Sequence, residues 1–295
     1  MNAYPQCIIG SAPTYQEAMG SFVPGMADFY RNPVSYAVEP FRIFGNLYYV
    51  GDQKVCMHLI DTGEGLILFD CGYGQTTDLI EGSIRQLGFD PAELKWIIVS
   101  HGHFDHFGSG NILRDKYGCQ IAMSTVDTAL LRENPARALL HCGPCPEDPI
   151  CWPDRELQDG DLLTLGAATI RCVAAPGHTY GTLAFFFDAV NDTERKSVGY
   201  WGGAGFLTMY GDYCREYGLP VGKDRAMVQT LKLLAKEQPE ITLGNHPGQN
   251  ATLEKRRWML SHPGSNPFVD PETWPTLLNT MTAKLVEFIE HGYGA

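Results

Sequence analysis

Two hydrophobic rhythms run along this chain. Short apolar runs of strand length occur at Leu66-Ile67-Leu68-Phe69, Trp96-Ile97-Ile98-Val99, residues 168–173, Ser197-Val198-Gly199-Tyr200-Trp201 and Glu240-Ile241-Thr242-Leu243. Apolar runs this short, bounded by turn residues, predict buried strands. Between them Leu79, Ile80, Ile84 and Leu87 fall at helical spacing. So do Met227, Val228, Leu231, Leu234 and Ala235, and near the end Leu277, Met281, Leu285, Phe288 and Ile289. Such stripes predict helices that lay one face on a core. The mixture predicts an α/β fold. Residues 1–37, rich in aromatics and proline, read as an N-terminal arm over one domain spanning 38–295. Residues 134–160 read as the longest irregular loop, of the kind that borders a cleft.

The chemistry is concentrated in His101-Gly102-His103-Phe104-Asp105-His106, four metal-binding side chains within six residues. Histidines at alternate positions of an extended loop turn to one side, so His101 and His103 can share an ion. Asp105 and His106 then point past it, where a second ion could sit. Imidazole with carboxylate suits zinc, with iron or manganese as alternatives. A catalytic zinc usually takes three protein ligands and keeps one position open. Two further histidines follow apolar runs in turn-rich settings: His178, in Ala175-Pro176-Gly177-His178-Thr179, and His246, in Gly244-Asn245-His246-Pro247-Gly248. Loops at strand ends are where a rigid scaffold presents such groups.

The order H-x-H-x-D-H, then P-G-H-T, then a late histidine, resembles the metallo-β-lactamase superfamily. The resemblance implies a four-layer αβ/βα sandwich, two mixed β-sheets face to face with helices outside, and a metal site along one edge. Carried over by position, it implies that His101, His103 and His178 bind one ion. Asp105, His106 and His246 bind the second, giving two zinc ions per chain. Many superfamily hydrolases add an aspartate bridging both metals, and another β-lactamase subclass adds a cysteine. Here the matching strand, 197–201, runs into Gly202-Gly203-Ala204-Gly205 with neither. In that respect, and over residues 41–51 and 264–271, the chain is most similar to subclass B3 metallo-β-lactamases. That subclass uses serines after this strand to hold a substrate carboxylate, and here Gly203 and Gly205 stand in their place.

The activity implied is metal-dependent hydrolysis, with acidified water attacking an amide or ester carbonyl and Asp105 orienting it besides ligating. A β-lactam ring is the leading substrate. A lactone, ester or thioester is the alternative, followed by a mononuclear iron redox enzyme or a non-catalytic metal-binding scaffold on the same fold. Asp70, at the end of an apolar strand, resembles the family's aspartate that braces the ligand loop, or else serves as a plain turn residue. A ligating histidine normally gives its other N–H to such an acceptor. Thr179 either braces in the same way or packs. Phe104, Tyr180 and Trp201 flank the ligands, as walls of the substrate pocket or as core.

Composition narrows the partners. The net charge of −12 disfavours nucleic acid and anionic membranes, leaving a small-molecule substrate. No apolar run is long enough to span a bilayer. The start, Met1-Asn2-Ala3-Tyr4-Pro5-Gln6-Cys7, has no basic segment followed by an apolar one. The expected location is therefore cytoplasmic, or periplasmic or secreted if a leader has been trimmed. The 9 cysteines follow no disulfide framework. Cys142, Cys145 and Cys151 with His141 suggest reduced thiols or one local disulfide before a second zinc site.

Overall fold

The structure, a computed structural model, describes residues 13–18, 29–143 and 145–295. Most of the arm, residues 1–12 and 19–28, lies outside them, as does Cys7.

Two mixed sheets form the centre. The first orders its seven strands β1 to β7 as in the chain: β1 (Phe41–Phe44), β2 (Leu47–Tyr49), β3 (His58–Asp61), β4 (Leu66–Phe69), β5 (Leu94–Ile98), β6 (Gln120–Ser124) and β7 (Arg155–Leu157). β1 to β4 form an antiparallel meander, whereas β4 to β7 run parallel. Parallel neighbours need crossovers, and four helices supply the three of them: α1 (Thr77–Gln86), then α2 (Phe104–Phe107) with α3 (Gly110–Tyr117), and α4 (Thr125–Glu133). The second sheet is ordered β12-β11-β10-β9-β8, with β8 (Leu162–Leu165), β9 (Ala168–Ala174), β10 (Leu183–Val190), β11 (Arg195–Trp201) and β12 (Ile241–Gly244). Only β11 and β12 pair parallel there. The crossover between them carries α5 (Gly211–Glu216) and α6 (Lys223–Leu234), and α7 (Thr252–Ser261) and α8 (Thr273–Glu290) close the chain.

The strands read as unbroken apolar runs because both of their faces are covered. Along β4, Ile67 and Phe69 point between the sheets while Leu66 and Leu68 pack outward under helices. β10 divides in the same way: Leu183, Phe185 and Phe187 face inward, Ala184 and Phe186 outward. Two cores result from one period-two pattern. The inner core is aromatic, with Phe69 stacked on Phe187 at 5.1 Å between centroids and 15° between planes.

Two expectations change, and a third is narrowed to its first alternative, reduced thiols. The stretch 134–160 is not one irregular loop. It holds two 3-10 turns, Pro135–Ala138 and Leu140–Cys142, and edge strand β7. Trp201 is fully buried in the outer core and walls no pocket. Cys142, Cys145 and Cys151 are free thiols, with neither a local disulfide nor, among the described residues, a metal-holding group around them.

Phe69 lies between the sheets next to Asp70, so it tests how far the inner core carries the fold. Phe69→Ala is expected to lower the unfolding free energy by about 3–5 kcal/mol, read from urea denaturation. A loss below about 1 kcal/mol would mean the inner core collapses around the gap.

Candidate metal centre

Five strand ends converge on one edge of the sandwich. β4 delivers Asp70, β5 the segment Ser100–His106, β9 His178, β11 Gly202–Gly205 and β12 His246. Asp70 has φ 54°, a left-handed turn that swings its buried carboxylate under the β5 loop. Aspartate tolerates this backbone better than most residues. After β5 the chain is extended at His103, then turns into α2. The sequence suggested an extended loop throughout. The helical turn instead lets the consecutive Asp105 and His106 reach one point.

Two groups of three side chains result: His101, His103 and His178, and Asp105, His106 and His246. Within each group the potential ligand atoms all lie within 4.8 Å of one another. In the first, His101 Nε2, His103 Nδ1 and His178 Nε2 stand 3.0, 3.0 and 3.1 Å apart. Their outer nitrogens identify the protons. His178 Nδ1 donates to the Gly205 carbonyl at 2.9 Å, so its Nε2 is a bare lone pair. Ser100 Oγ donates to Asp70 Oδ2 at 2.8 Å and accepts from His101 Nδ1 at 3.1 Å, so His101 Nε2 is bare as well. Lone pairs meeting at contact distance repel unless a cation sits between them. Zinc at about 2.0–2.1 Å from each nitrogen would set tetrahedral ligands about 3.3 Å apart, close to the spacing seen.

The second group points the same way. His106 Nδ1 donates to Asp70 Oδ2 at 2.8 Å, leaving a buried Nε2 with no hydrogen-bond partner. That orphan lies 3.5 Å from Asp105 Oδ2, while His246 Nε2 lies 3.9 Å from the same oxygen. His246 Nδ1 donates to the Lys54 carbonyl at 2.7 Å. The residues therefore fit a pair of divalent ions. This second group is the more open, its His246 side chain 34% exposed.

Asp70 holds more than one ligand. Besides Ser100 Oγ and His106, it accepts from the Ser100 backbone N–H at 2.7 Å and the Tyr200 hydroxyl at 2.5 Å. Thr179 does not brace His178 directly. Its hydroxyl donates at 2.7 Å to Asp127, a buried carboxylate that also accepts from the Gly102 and Gly181 N–H groups at 2.8 and 2.9 Å. Asp127 thus ties the 101–103 loop to the 178–181 loop, and nothing in its local sequence announces it. Phe104 is buried against the Tyr30 ring, and Tyr180, half-buried, lines a small cavity beside His103.

Two mixed sheets flanked by helices, with a paired, histidine-rich centre at one edge, define the class: an αβ/βα sandwich of the metallo-β-lactamase fold. The family model of the metallo-beta-lactamase superfamily matches residues 51–190. Residues 51–190, just under half of the chain, thus match the metallo-beta-lactamase superfamily domain. Among solved structures it is similar to the metallo-beta-lactamase GOB-18 of Elizabethkingia meningoseptica, at 25% identity and TM-score 0.76, covering 86% of this chain and 93% of that one. It is also similar to BJP-1, a subclass B3 metallo-beta-lactamase of Bradyrhizobium japonicum, at 28% identity and TM-score 0.73, covering 86% and 95%. Among curated relatives, a "probable metallo-hydrolase" of Burkholderia pseudomallei is 26% identical over 63% of this chain, which spans 65% of its length. The hydroxyacylglutathione hydrolase GloC of Haemophilus influenzae is 25% identical over 75% of this chain and 95% of its own.

Burial, reinforced by neighbouring imidazoles, holds His101 and His103 well below the usual histidine range, and burial pushes His178 down to about 3. Burial also opposes charge on His106, but Asp105 and Asp70 outweigh it and raise that one. Three histidines thus stay neutral in the folded state, whereas the unfolded chain protonates them below about pH 6.5. The unfolded state then binds more protons, so these three groups make stability fall as pH drops, while His106 and the buried Asp52, whose pKa burial raises to about 6, act in the opposite sense. In chelator, the urea midpoint is expected to fall between about pH 7 and about pH 5. A midpoint flat over that window contradicts this account. Asp127→Ala, which leaves two N–H groups and a hydroxyl buried without their acceptor, is expected to cost about 3 kcal/mol, measured the same way at neutral pH.

Proposed function

We propose that this protein is a zinc-dependent hydrolase of subclass B3 type that opens the β-lactam ring, with two zinc ions per chain. His101, His103 and His178 hold one ion; Asp105, His106 and His246 hold the other. The observation that carries the reading is the pair of three-residue groups back to back, built from five imidazoles and a single carboxylate. Bound there, two divalent ions would supply a surplus of positive charge that acidifies water to a pKa of about 7 and polarises a carbonyl.

The chain's own groups do the rest. The outer acceptors Ser100 Oγ, Asp70, Gly205 O and Lys54 O fix which nitrogen of each histidine faces inward. Asp105, at the more open group, is the only carboxylate in either and the natural acceptor for a proton from attacking water. No serine or cysteine nucleophile is required. The position after β11, where an aspartate could bridge the ions, is Gly202, and a Cβ there would come within 2.4 Å of the Ser100 Cβ. This favours the unbridged arrangement.

One observation supports a second reading, hydrolysis of a lactone, ester or thioester. A Cβ on Gly203 would lie 3.0 Å from the His178 side chain, and one on Gly205 3.2 Å from its Nδ1. The loop therefore presses bare backbone on the ring and offers no hydroxyl for a substrate carboxylate. The hydroxyacylglutathione hydrolase relatives are consistent with this alternative.

Zinc-loaded protein assayed against a penicillin, a cephalosporin, a carbapenem, a lactone and a hydroxyacyl thioester decides between them, with His103→Ala as the blank. The expected result is chelator-sensitive β-lactam turnover with kcat/KM above about 10⁴ M⁻¹s⁻¹, abolished in the variant. Turnover confined to the lactone or thioester would replace the β-lactam reading. One iron per chain would replace the hydrolase with a redox enzyme.

A further inference from the structure

Helix α6 is remote in sequence from every candidate ligand, yet three residues of one face hold the loops around His178. Lys223, Met227 and Thr230 are spaced four and three apart, which places them in a row. All three are buried, Lys223 only 1% exposed. Thr230 Oγ1 donates to the Pro176 carbonyl at 2.6 Å. Met227 packs so tightly on Gly177 that a Cβ there would lie 2.6 Å from its methyl carbon. Lys223 Nζ donates to the Thr208 carbonyl at 2.8 Å, and the Thr208 hydroxyl donates to the His178 carbonyl. The segment pinned in this way begins with Gly205, whose carbonyl fixes the His178 proton.

Lys223 is an odd choice for a purely structural pin. Its ammonium is buried between the rings of Tyr180 and Tyr213, at 5.4 and 5.1 Å from their centroids. It also sits at the first residue of a helix, where the dipole disfavours positive charge. Burial pushes its pKa down to about 8, with Cys214 and Asp127 supporting the charge and Arg137 opposing it. Among the described residues one carbonyl accepts from it, the one on the loop that touches His178.

We propose that the buried face of α6 is a positioning device for His178, in which Lys223 acting through Thr208, and Thr230 acting through Pro176, aim its Nε2 at the point shared with His101 and His103. The device sets the affinity of that group for its ion. The inference rests on reading the group as a metal site, and its test does not depend on the substrate.

Cobalt titration of the full-length protein, with chelator competition and visible absorption, reads the geometry directly. Lys223→Met is expected to weaken one of the two cobalt sites by about 10–100-fold and to alter the d–d bands. Thr208→Val shifts both in the same direction, and Thr208→Ser, which keeps the hydroxyl, restores them. Lys255→Met is the control, since Lys255 is also buried but its Nζ donates to Thr273 Oγ1 at 3.1 Å in another part of the fold. It should lower thermal stability and leave the cobalt spectrum unchanged. Parent-like affinity and spectrum in folded Lys223→Met would overturn the proposal. If that variant does not fold, parent-like behaviour of Thr208→Val does so instead. A parent protein that takes up no cobalt overturns both the metal-centre reading and this one.

Discussion

The structure depends on the buried carboxylate of Asp70. It collects four donors from three parts of the chain: the Ser100 N–H and hydroxyl, His106 Nδ1 and the Tyr200 hydroxyl. Tyr200 comes from the second sheet and the others from the first, so one side chain locks the sandwich closed at the edge where the histidines meet. A buried charge is tolerable only when its lone pairs are satisfied, and here the satisfying groups are those that must be placed. The left-handed turn at Asp70 is the cost of aiming the carboxylate there.

The same logic repeats outward. Acceptors also stand behind His101, His178 and His246, each supplied by a different segment: Ser100 Oγ, Gly205 O and Lys54 O. These segments are anchored in their turn. Asp127 joins the two loops of the first group. The Asp52 carboxylate holds the turn that presents Lys54, accepting from the Lys54 and Val55 N–H groups at 2.7 Å each. Precision at the inner nitrogens is thus set two contacts away, which is how a centre built on loops can be as rigid as one built on helices.

Much of this was legible in the sequence, for identifiable reasons. The strands over 66–69, 96–99 and 197–201 showed because burial on both faces leaves them few polar residues. His101, His103, Asp105 and His106 showed because they fall within six residues after a strand, whereas His178 and His246 were joined to them by the family resemblance. What did not show was tertiary or backbone. A carbonyl such as Gly205 or Lys54 carries no letter in the sequence, and Asp127 acts across 52 residues to Thr179. Helix α7 escaped notice because its burial runs against polarity, with Thr252 and Lys255 buried while Trp258 and Leu260 are exposed. The stretch 134–160 looked irregular because its order comes from short 3-10 turns and one edge strand, too brief for any period to show.

The contact between Gly203, Gly205 and the His178 ring has a consequence for substitution. A hydroxyl gained at Gly203 or Gly205 presses on a histidine of the centre, since a side chain at either position meets it at 3.0 to 3.2 Å. A serine at either site therefore requires the ring or the backbone to give way by a few tenths of an ångström, so the loop's chemistry and the aim of His178 change together.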